Sequence, residues 1–401
     1  MSDRRQLRAY LLVTLCYWVF TLSDGALRMI VLLHLHDQGE TAWGLALILL
    51  PYEAAGVATN LLGGFLGARY GLKRTLLLGL LLQAAACGML AADAAGLTLT
   101  FVAATQVLSG IAKDFAKTSA KSYVKVLQPR GGATALYRWV AWLTGGKNTM
   151  KGVGFFLGGA LLASCGFEAV NAVLALLLLF IAVVAATTLP KMPGAAASSL
   201  AEVARQDAPT WWLSAARVFL FGSRDAWFTV ALPLFLVSCG WTPWSVGAAL
   251  AVWVAGYGLI QAAAPHVTRP ANARAGAAAV IRWSGALLLP LAPLAIALPR
   301  TQAAVPLLLC GLCAYGAVFA VTSSLHSWLV VGMHDDGRSV ERVGFYYAAN
   351  AVGRLAGTAC SGWLFAAAAL PETGLAACIA ASCVAVAGAT ACAVPLRRAL
   401  P

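Results

Sequence analysis

Phe20, Asp24, Gly39 and Trp43 return as Phe221, Asp225, Gly240 and Trp244 at a constant offset of 201 (225 − 24), half of a 401-residue chain. A chain that repeats itself at this distance builds the same arrangement twice. In each half the aspartate sits inside a long apolar run, with the glycine and the tryptophan just beyond it. A carboxylate in hydrocarbon is costly, so one at matched depth in both halves points to a pathway rather than to packing.

The apolar runs decide the class. Apolar residues make up 61% of the chain and charged residues 11%, which excludes an ordinary soluble globular protein. An apolar helix of roughly 20 residues crosses a bilayer. The chain supplies about twelve, beginning near Tyr10, Trp43, Thr75, Thr98, Leu136, Val170, Trp212, Trp244, Ala277, Val305, Glu341 and Leu375. The expectation is an all-α membrane protein of twelve transmembrane helices in two pseudo-symmetric six-helix halves. Residues 1–189 form the first bundle and residues 211–401 the second. Residues 190–210, small and polar from Pro190 to Pro209, form a cytoplasmic linker whose stretch Ala195 to Ala204 suggests a short surface helix. The first apolar run, Tyr10 to Leu33, is too long for a signal-peptide core and reads as a retained helix.

Lysines and arginines crowd alternate connections, among them Arg4, Arg5 and Arg8, then Arg69, Lys73 and Arg74, and finally Arg397 and Arg398. The positive-inside rule then places both termini in the cytoplasm and the chain in the cell (inner) membrane. The net charge of +13 is partly topological, so nucleic acid is not an expected partner. Cys310 and Cys313 lie one turn apart but have no companion ligands at metal spacing, so no metal or other cofactor is expected.

Charge inside the spans carries the functional expectation. Lys113, Asp114 and Lys117 lie on the fourth span, with Lys121 and Lys125 further along towards the headgroups. Lys147, Asn148 and Lys151 lie on the fifth, antiparallel to it, which sets Lys113 and Lys147 at similar depth. The first span carries Asp24 and Arg28, the second Glu53, the seventh Arg217, Arg224 and Asp225, and the eleventh Tyr346, Asn350 and Arg354. A shift of 203 (354 − 151) lays Lys151 on Arg354, Gly154 on Gly357 and Gly159 on Gly362. Each central Lys or Arg costs roughly 2.5–3.5 kcal/mol to insert. Ion pairs suggest themselves for Asp24–Arg28 and Arg224–Asp225, whereas Lys147, Lys151 and Arg354 show no acidic neighbour in sequence. Matched cations in the two fifth helices make an anion clamp the expectation.

The run Gly63-Gly64-Phe65-Leu66-Gly67-Ala68-Arg69-Tyr70-Gly71-Leu72-Lys73-Arg74 resembles the loop between the second and third spans of the major facilitator superfamily, with Ala68 at the usual aspartate position. Gly145, Gly154 and Gly158 resemble that superfamily's antiporter spacing, with Gly159 at its proline position, and Gln106 stands where an arginine is common. Longer stretches resemble one branch, the ArsJ-type organoarsenical efflux permeases: Thr21 to Met29, Thr59 to Gly64, Leu108 to Asp114, Leu136 to Ala141, Lys151 to Gly159 and Ala215 to Gly222. The resemblance implies the major facilitator fold and export of 1-arseno-3-phosphoglycerate, which glyceraldehyde-3-phosphate dehydrogenase makes when arsenate replaces phosphate. Arsenate resistance follows from that export.

On this reading Lys113, Lys117, Lys147 and Lys151 hold one oxyanion, and Arg224 and Arg354 the other. Asn148, Asn350 and Tyr346 contact the rest of the substrate, and Arg28 guides release. Asp24, Glu53 and Asp225 are candidates for proton coupling, because a carboxylate beside competing cations changes protonation when the anion leaves. The alternative is a sugar-phosphate, phosphate or other organic-anion exchanger of the same superfamily. An enzyme is not expected: Gly146-Lys147-Asn148 only faintly matches a phosphate-binding loop, with Ala141 at its leading glycine and Asn148 for Ser/Thr.

Overall fold

The computed structural model describes residues 3–92, 97–127, 132–190, 206–268, 270–301, 303–333 and 339–400; inside the helices, the side chains of residues 3, 61–70, most of those from 121 to 145, and those of 265, 331, 332, 339–341 and 343 fall outside the description. The expected surface helix at Ala195 to Ala204, most of the linker, the side chains of the 63–70 glycine motif, and those of Lys121 and Lys125 therefore lie outside the described residues.

Fourteen α-helices make up the described chain. The first six are α1 (Asp3–Asp37), α2 (Ala42–Tyr70), α3 (Leu72–Ala92), α4 (Leu99–Leu127), α5 (Gly132–Cys165) and α6 (Phe167–Thr188). Then follow α7 (Ala208–Phe228), α8 (Ala231–Ser238), α9 (Pro243–Val267), α10 (Ala273–Ala286) and α11 (Leu288–Ala297). A short 3-10 turn (Leu298–Arg300) leads to α12 (Ala304–Gly332), α13 (Ser339–Ala366) and α14 (Pro371–Ala399). Each of the twelve expected spans has its helix. Among the described residues nine, counting α7 with α8 and α10 with α11 as single spans, are long and apolar enough to cross a membrane. The remaining three, α4, α5 and α13, are long enough but more polar, and they carry Lys113, Lys147, Lys151 and Arg354.

The repeat reaches the backbone. Gly39 and Gly240 both take a left-handed φ, +88° and +83°, which glycine adopts without the strain other residues meet. Gly39 N–H donates to His36 O and Glu40 N–H to Leu35 O; Gly240 N–H donates to Val237 O and Trp241 N–H to Leu236 O. The same helix stop thus recurs 201 residues on (240 − 39).

Two spans are broken, and prolines break them. Pro233 has no N–H for the Thr229 carbonyl and its ring crowds it, so α7 ends at Phe228 and α8 restarts at Ala231. The released Ala231 amide donates to Ser361 Oγ on α13 at 3.0 Å. Pro290 similarly parts α10 from α11 at Leu287. The residue equivalent to Pro233 in the first half is Leu32 (233 − 201), and α1 runs unbroken.

The chain divides into two compact units that trade helix segments across the sequence halves. Unit 1 holds residues 1–34, 58–199 and 243–255; unit 2 holds 35–57, 200–242 and 256–401. The first part of α2 thus counts with the second unit, and the first part of α9 with the first.

Within unit 1, glycines on two faces of α5 allow backbone approach on both sides. A β-carbon at Gly158 would lie 2.7 Å from Ala26 O of α1, and one at Gly154 would collide with Leu22 O. On the other face, a β-carbon at Gly152 would lie 2.9 Å from Ala251 O, and one at Gly159 would meet Pro243 O of α9. Unit 2 repeats the device. A β-carbon at Gly357 of α13 would lie 2.7 Å from Gly222 O of α7, and one at Gly362 would lie 2.7 Å from Ala42 O of α2. Small residues let membrane helices pack backbone to backbone, where dispersion and not hydrophobicity holds them.

Helix ends are tied by polar groups. Lys73 Nζ donates to Leu189 O, the C-cap of α6, at 2.7 Å, and Tyr123 OH donates to Pro190 O at 2.7 Å. A cation at the negative end of a helix is favourable. At the start of α7, Asp207 accepts from Thr210 N at 2.9 Å and pairs with Arg342 of α13 at 3.3 Å.

Candidate functional site

In unit 1, close packing of α5 on α1 brings Lys151 and Asp24 together: Lys151 Nζ lies 3.9 Å from Asp24 Oδ2 and 5.7 Å from the Phe155 ring centroid. Asp24 is buried and Lys151 half-buried. The expectation that Lys151 has no acidic neighbour is therefore corrected. Asp24 lies 127 residues away in sequence (151 − 24), and only the glycine seam sets it beside the lysine.

A second polar cluster joins α2 to α4. Asp114, fully buried, accepts from Thr59 Oγ1 at 2.5 Å, from Asn60 Nδ2 at 3.2 Å and from Lys117 Nζ at 2.5 Å. Lys117 also donates to Asn60 Oδ1 at 2.6 Å. This carboxylate serves Lys117, one turn along its own helix, through an i,i+3 pair. Lys113, Lys147 and Asn148 are half-buried and Arg28 is buried. Among the described side chains of α1, α4 and α5, the buried and half-buried cations are Arg28, Lys113, Lys117, Lys147 and Lys151, against the carboxylates Asp24 and Asp114. Positive charge is therefore in excess among these residues.

Unit 2 is built differently. Arg354 on α13 donates through Nη2 to Glu53 Oε1 at 2.7 Å and through Nε to Asp225 Oδ2 at 3.0 Å. Asp225 also accepts from Arg224 Nε at 2.6 Å through Oδ1. Two guanidiniums and two carboxylates balance. Glu53 and Asp225 are 1% exposed as side chains, Arg354 14% and Arg224 16%, so the carboxylates are sealed and the arginines reach outwards. Arg354 was expected to lack an acidic partner and has two. Sequence distance hid both, since Glu53 comes from α2 and Asp225 from α7. The Arg224–Asp225 pair is found as expected. Phe221, Phe228 and Phe319 surround the Arg224 guanidinium at 4.8, 5.9 and 5.7 Å.

Asn350 and Tyr346 gather around a different cation. Arg217, 4% exposed, donates from Nε to Asn350 Oδ1 at 3.0 Å and from Nη1 to Ser323 Oγ at 3.1 Å. Its guanidinium lies 3.8 Å from the Phe221 ring centroid and 4.9 Å from that of Tyr346. The seventh span is expected from near Trp212; in the structure α7 begins four residues earlier (212 − 208), at Ala208, which sets Arg217 nine residues inside the helix, where it is buried. The spacing Arg217, Phe221, Arg224 is the signal that one inward face carries all three.

The sequence matches the family described as Major Facilitator Superfamily over residues 9–331. No curated protein matches the sequence. Among solved structures, the fold is similar to the crystal structure of a bacterial homolog to the human lysosomal transporter Spinster, inward-facing and unoccupied. That match has a TM-score of 0.74 and 12% identity, covering 100% of this chain and 98% of the other. The occupied inward-facing form of that homolog matches with the same TM-score, identity and coverage.

Proposed function

Because this chain belongs to the major facilitator superfamily, and is therefore a multi-pass membrane transporter, we propose that its cargo is a phosphorylated organic anion. The specific reading is export of 1-arseno-3-phosphoglycerate by alternating access, with glyceraldehyde-3-phosphate dehydrogenase as its producer and arsenate resistance as the outcome. The carrying observation is the excess of buried and half-buried cations on α1, α4 and α5 of unit 1, five against two carboxylates among the described side chains. Inserting such cations costs roughly 2.5–3.5 kcal/mol each, and a multiply charged cargo offsets that cost while it is bound. The stretches Thr21 to Met29, Leu108 to Asp114 and Lys151 to Gly159, which resemble the organoarsenical permeases, contain several of these residues.

Lys113, Lys147 and Lys151 hold the phosphate end, with Asn148 on the carbon skeleton's oxygens and Lys117 and Arg28 adding to the positive field. Arg224 and Arg354 do not wait as open cations. Ionised Glu53 and Asp225 compete with an arriving anion for Arg354, so a proton taken by either carboxylate releases the guanidinium to the cargo. Asp24 stands in the same relation to Lys151. Both termini lie in the cytoplasm and the chain in the inner membrane, from the lysine and arginine bias of its connections.

The test is uptake into everted vesicles of arseno-ester generated in place by the dehydrogenase and arsenate, beside 3-phosphoglycerate and phosphate. The proposal expects accumulation of the arsenical only. Equal uptake of 3-phosphoglycerate without arsenic would transfer the function to a phosphorylated-anion exchanger. Lys151→Ala should cut flux at least about tenfold while leaving membrane insertion intact, because a charge-assisted hydrogen bond contributes about 1.5–3 kcal/mol and 1.4 kcal/mol is a factor of ten.

A further inference from the structure

Of the described cations on α7 and α13, Arg224, Arg342 and Arg354 each have a carboxylate, and Arg217 has none among the described residues. Its partners, Asn350 Oδ1 and Ser323 Oγ, are neutral, and the Phe221 and Tyr346 rings flank its guanidinium. These groups fix the guanidinium plane without cancelling its charge, and no acceptor sits on Nη2 among the described residues. His326 lies three residues after Ser323 on α12, on the same face. It is fully buried, within reach of the Arg217 charge, and neither ring nitrogen has a hydrogen-bond partner among the described residues. On α7, Ser214 precedes Arg217 by three residues; it is buried and its hydroxyl is likewise unpartnered among the described residues. Buried polar groups are nearly always paired, so orphans on two helices around an uncompensated guanidinium ask for one shared acceptor.

We propose that Arg217, His326 and Ser214 form an oxyanion subsite in the carboxyl-terminal unit, with Ser323 and Asn350 holding the guanidinium in place, and that it takes a tetrahedral phosphate-type group. A guanidinium edge, an imidazole N–H and a hydroxyl donate from different directions, which suits an oxyanion with several oxygens. The subsite deepens the anion-transport reading and takes its cargo from it. It is the second anchor while Arg224 and Arg354 are held by their carboxylates, before protonation of Glu53 or Asp225 releases Arg354.

The probe is inorganic phosphate, titrated into the purified full chain in phosphatidylcholine nanodiscs by calorimetry. A Lys113→Gln, Lys147→Gln, Lys151→Gln background removes the three lysines proposed to hold the phosphate end. Phosphate should still bind there, and Arg217→Gln should abolish that binding. His326→Phe and Ser214→Ala should each weaken it, the first about tenfold; these milder changes decide the matter if Arg217→Gln does not fold. Phosphate binding that is absent from the background, or unchanged by any of the three substitutions in folded protein, overturns the subsite. Loss of arseno-ester flux in wild type with Arg217-dependent binding retained would sink the transport reading alone. A lipid phosphate shares this chemistry, so the titration is repeated with phosphatidylglycerol in the disc. Displacement of phosphate by that lipid would overturn the cargo role, and indifference to it supports a soluble anion.

Discussion

Arg354 bridges Glu53 at 2.7 Å and Asp225 at 3.0 Å, so removing it takes a shared cation from two carboxylates, each 1% exposed, and leaves Asp225 only its pair with Arg224 among the ion pairs described. Breaking a buried pair by deleting one partner costs about 3–5 kcal/mol, whereas replacing both partners is far milder. Arg354→Ala should therefore lower the unfolding midpoint of the purified protein sharply, and Arg354→Gln with Glu53→Gln, which leaves the Arg224–Asp225 pair in place, should recover most of the loss. If the single and the double substitution unfold alike, the Arg354–Glu53 pair contributes nothing to stability. The charged residues were legible in sequence because hydrocarbon makes each conspicuous. Their partners were not. Lys151 meets Asp24, and Arg354 meets Glu53 and Asp225, across separations that only helix rotation and crossing determine. Arg217 was undervalued because its depth depends on where α7 begins, and that boundary is the weakest element of any reading from periodicity.

Among the helices, the glycine seams set those rotations. Gly353 of α13 is so close to Val218 of α7 that a β-carbon there would collide with the carbonyl oxygen, whereas Gly256 of α9 has no atom within 4 Å of that position. Gly353→Ala should lower thermal stability and weaken the Arg354–Asp225 pair, which spans the same two helices. Gly256→Ala should raise stability by about 0.5–1 kcal/mol, because alanine loses less freedom than glycine on entering a helix. Differential scanning of both variants in one detergent checks the opposite signs. The spacing of Gly154, Gly158 and Gly159 is visible in sequence. What it could not reveal is that Gly158 and Gly159, adjacent in the chain, serve different neighbours, α1 and α9.

At the level of the whole chain, the hydropathy pattern and the 201-residue echo were enough to anticipate twelve spans, because crossing a bilayer admits few backbone solutions. Three of those spans, α4, α5 and α13, fall short on apolarity for the same reason that they matter: they carry the cations. Single cysteines introduced near Arg4 and Arg398 should react with a membrane-impermeant maleimide only after the inner face is opened, if both ends are cytoplasmic; labelling of either in intact cells would reverse the orientation. The break at Pro233 makes the two copies of the duplicated plan mechanically unequal. The first rod, α1, carries load along 35 residues of unbroken helix. Its counterpart has a wrist at Thr229 and Val230, splinted by the Ser361 hydroxyl on the Ala231 amide, and under tension that copy should yield there first.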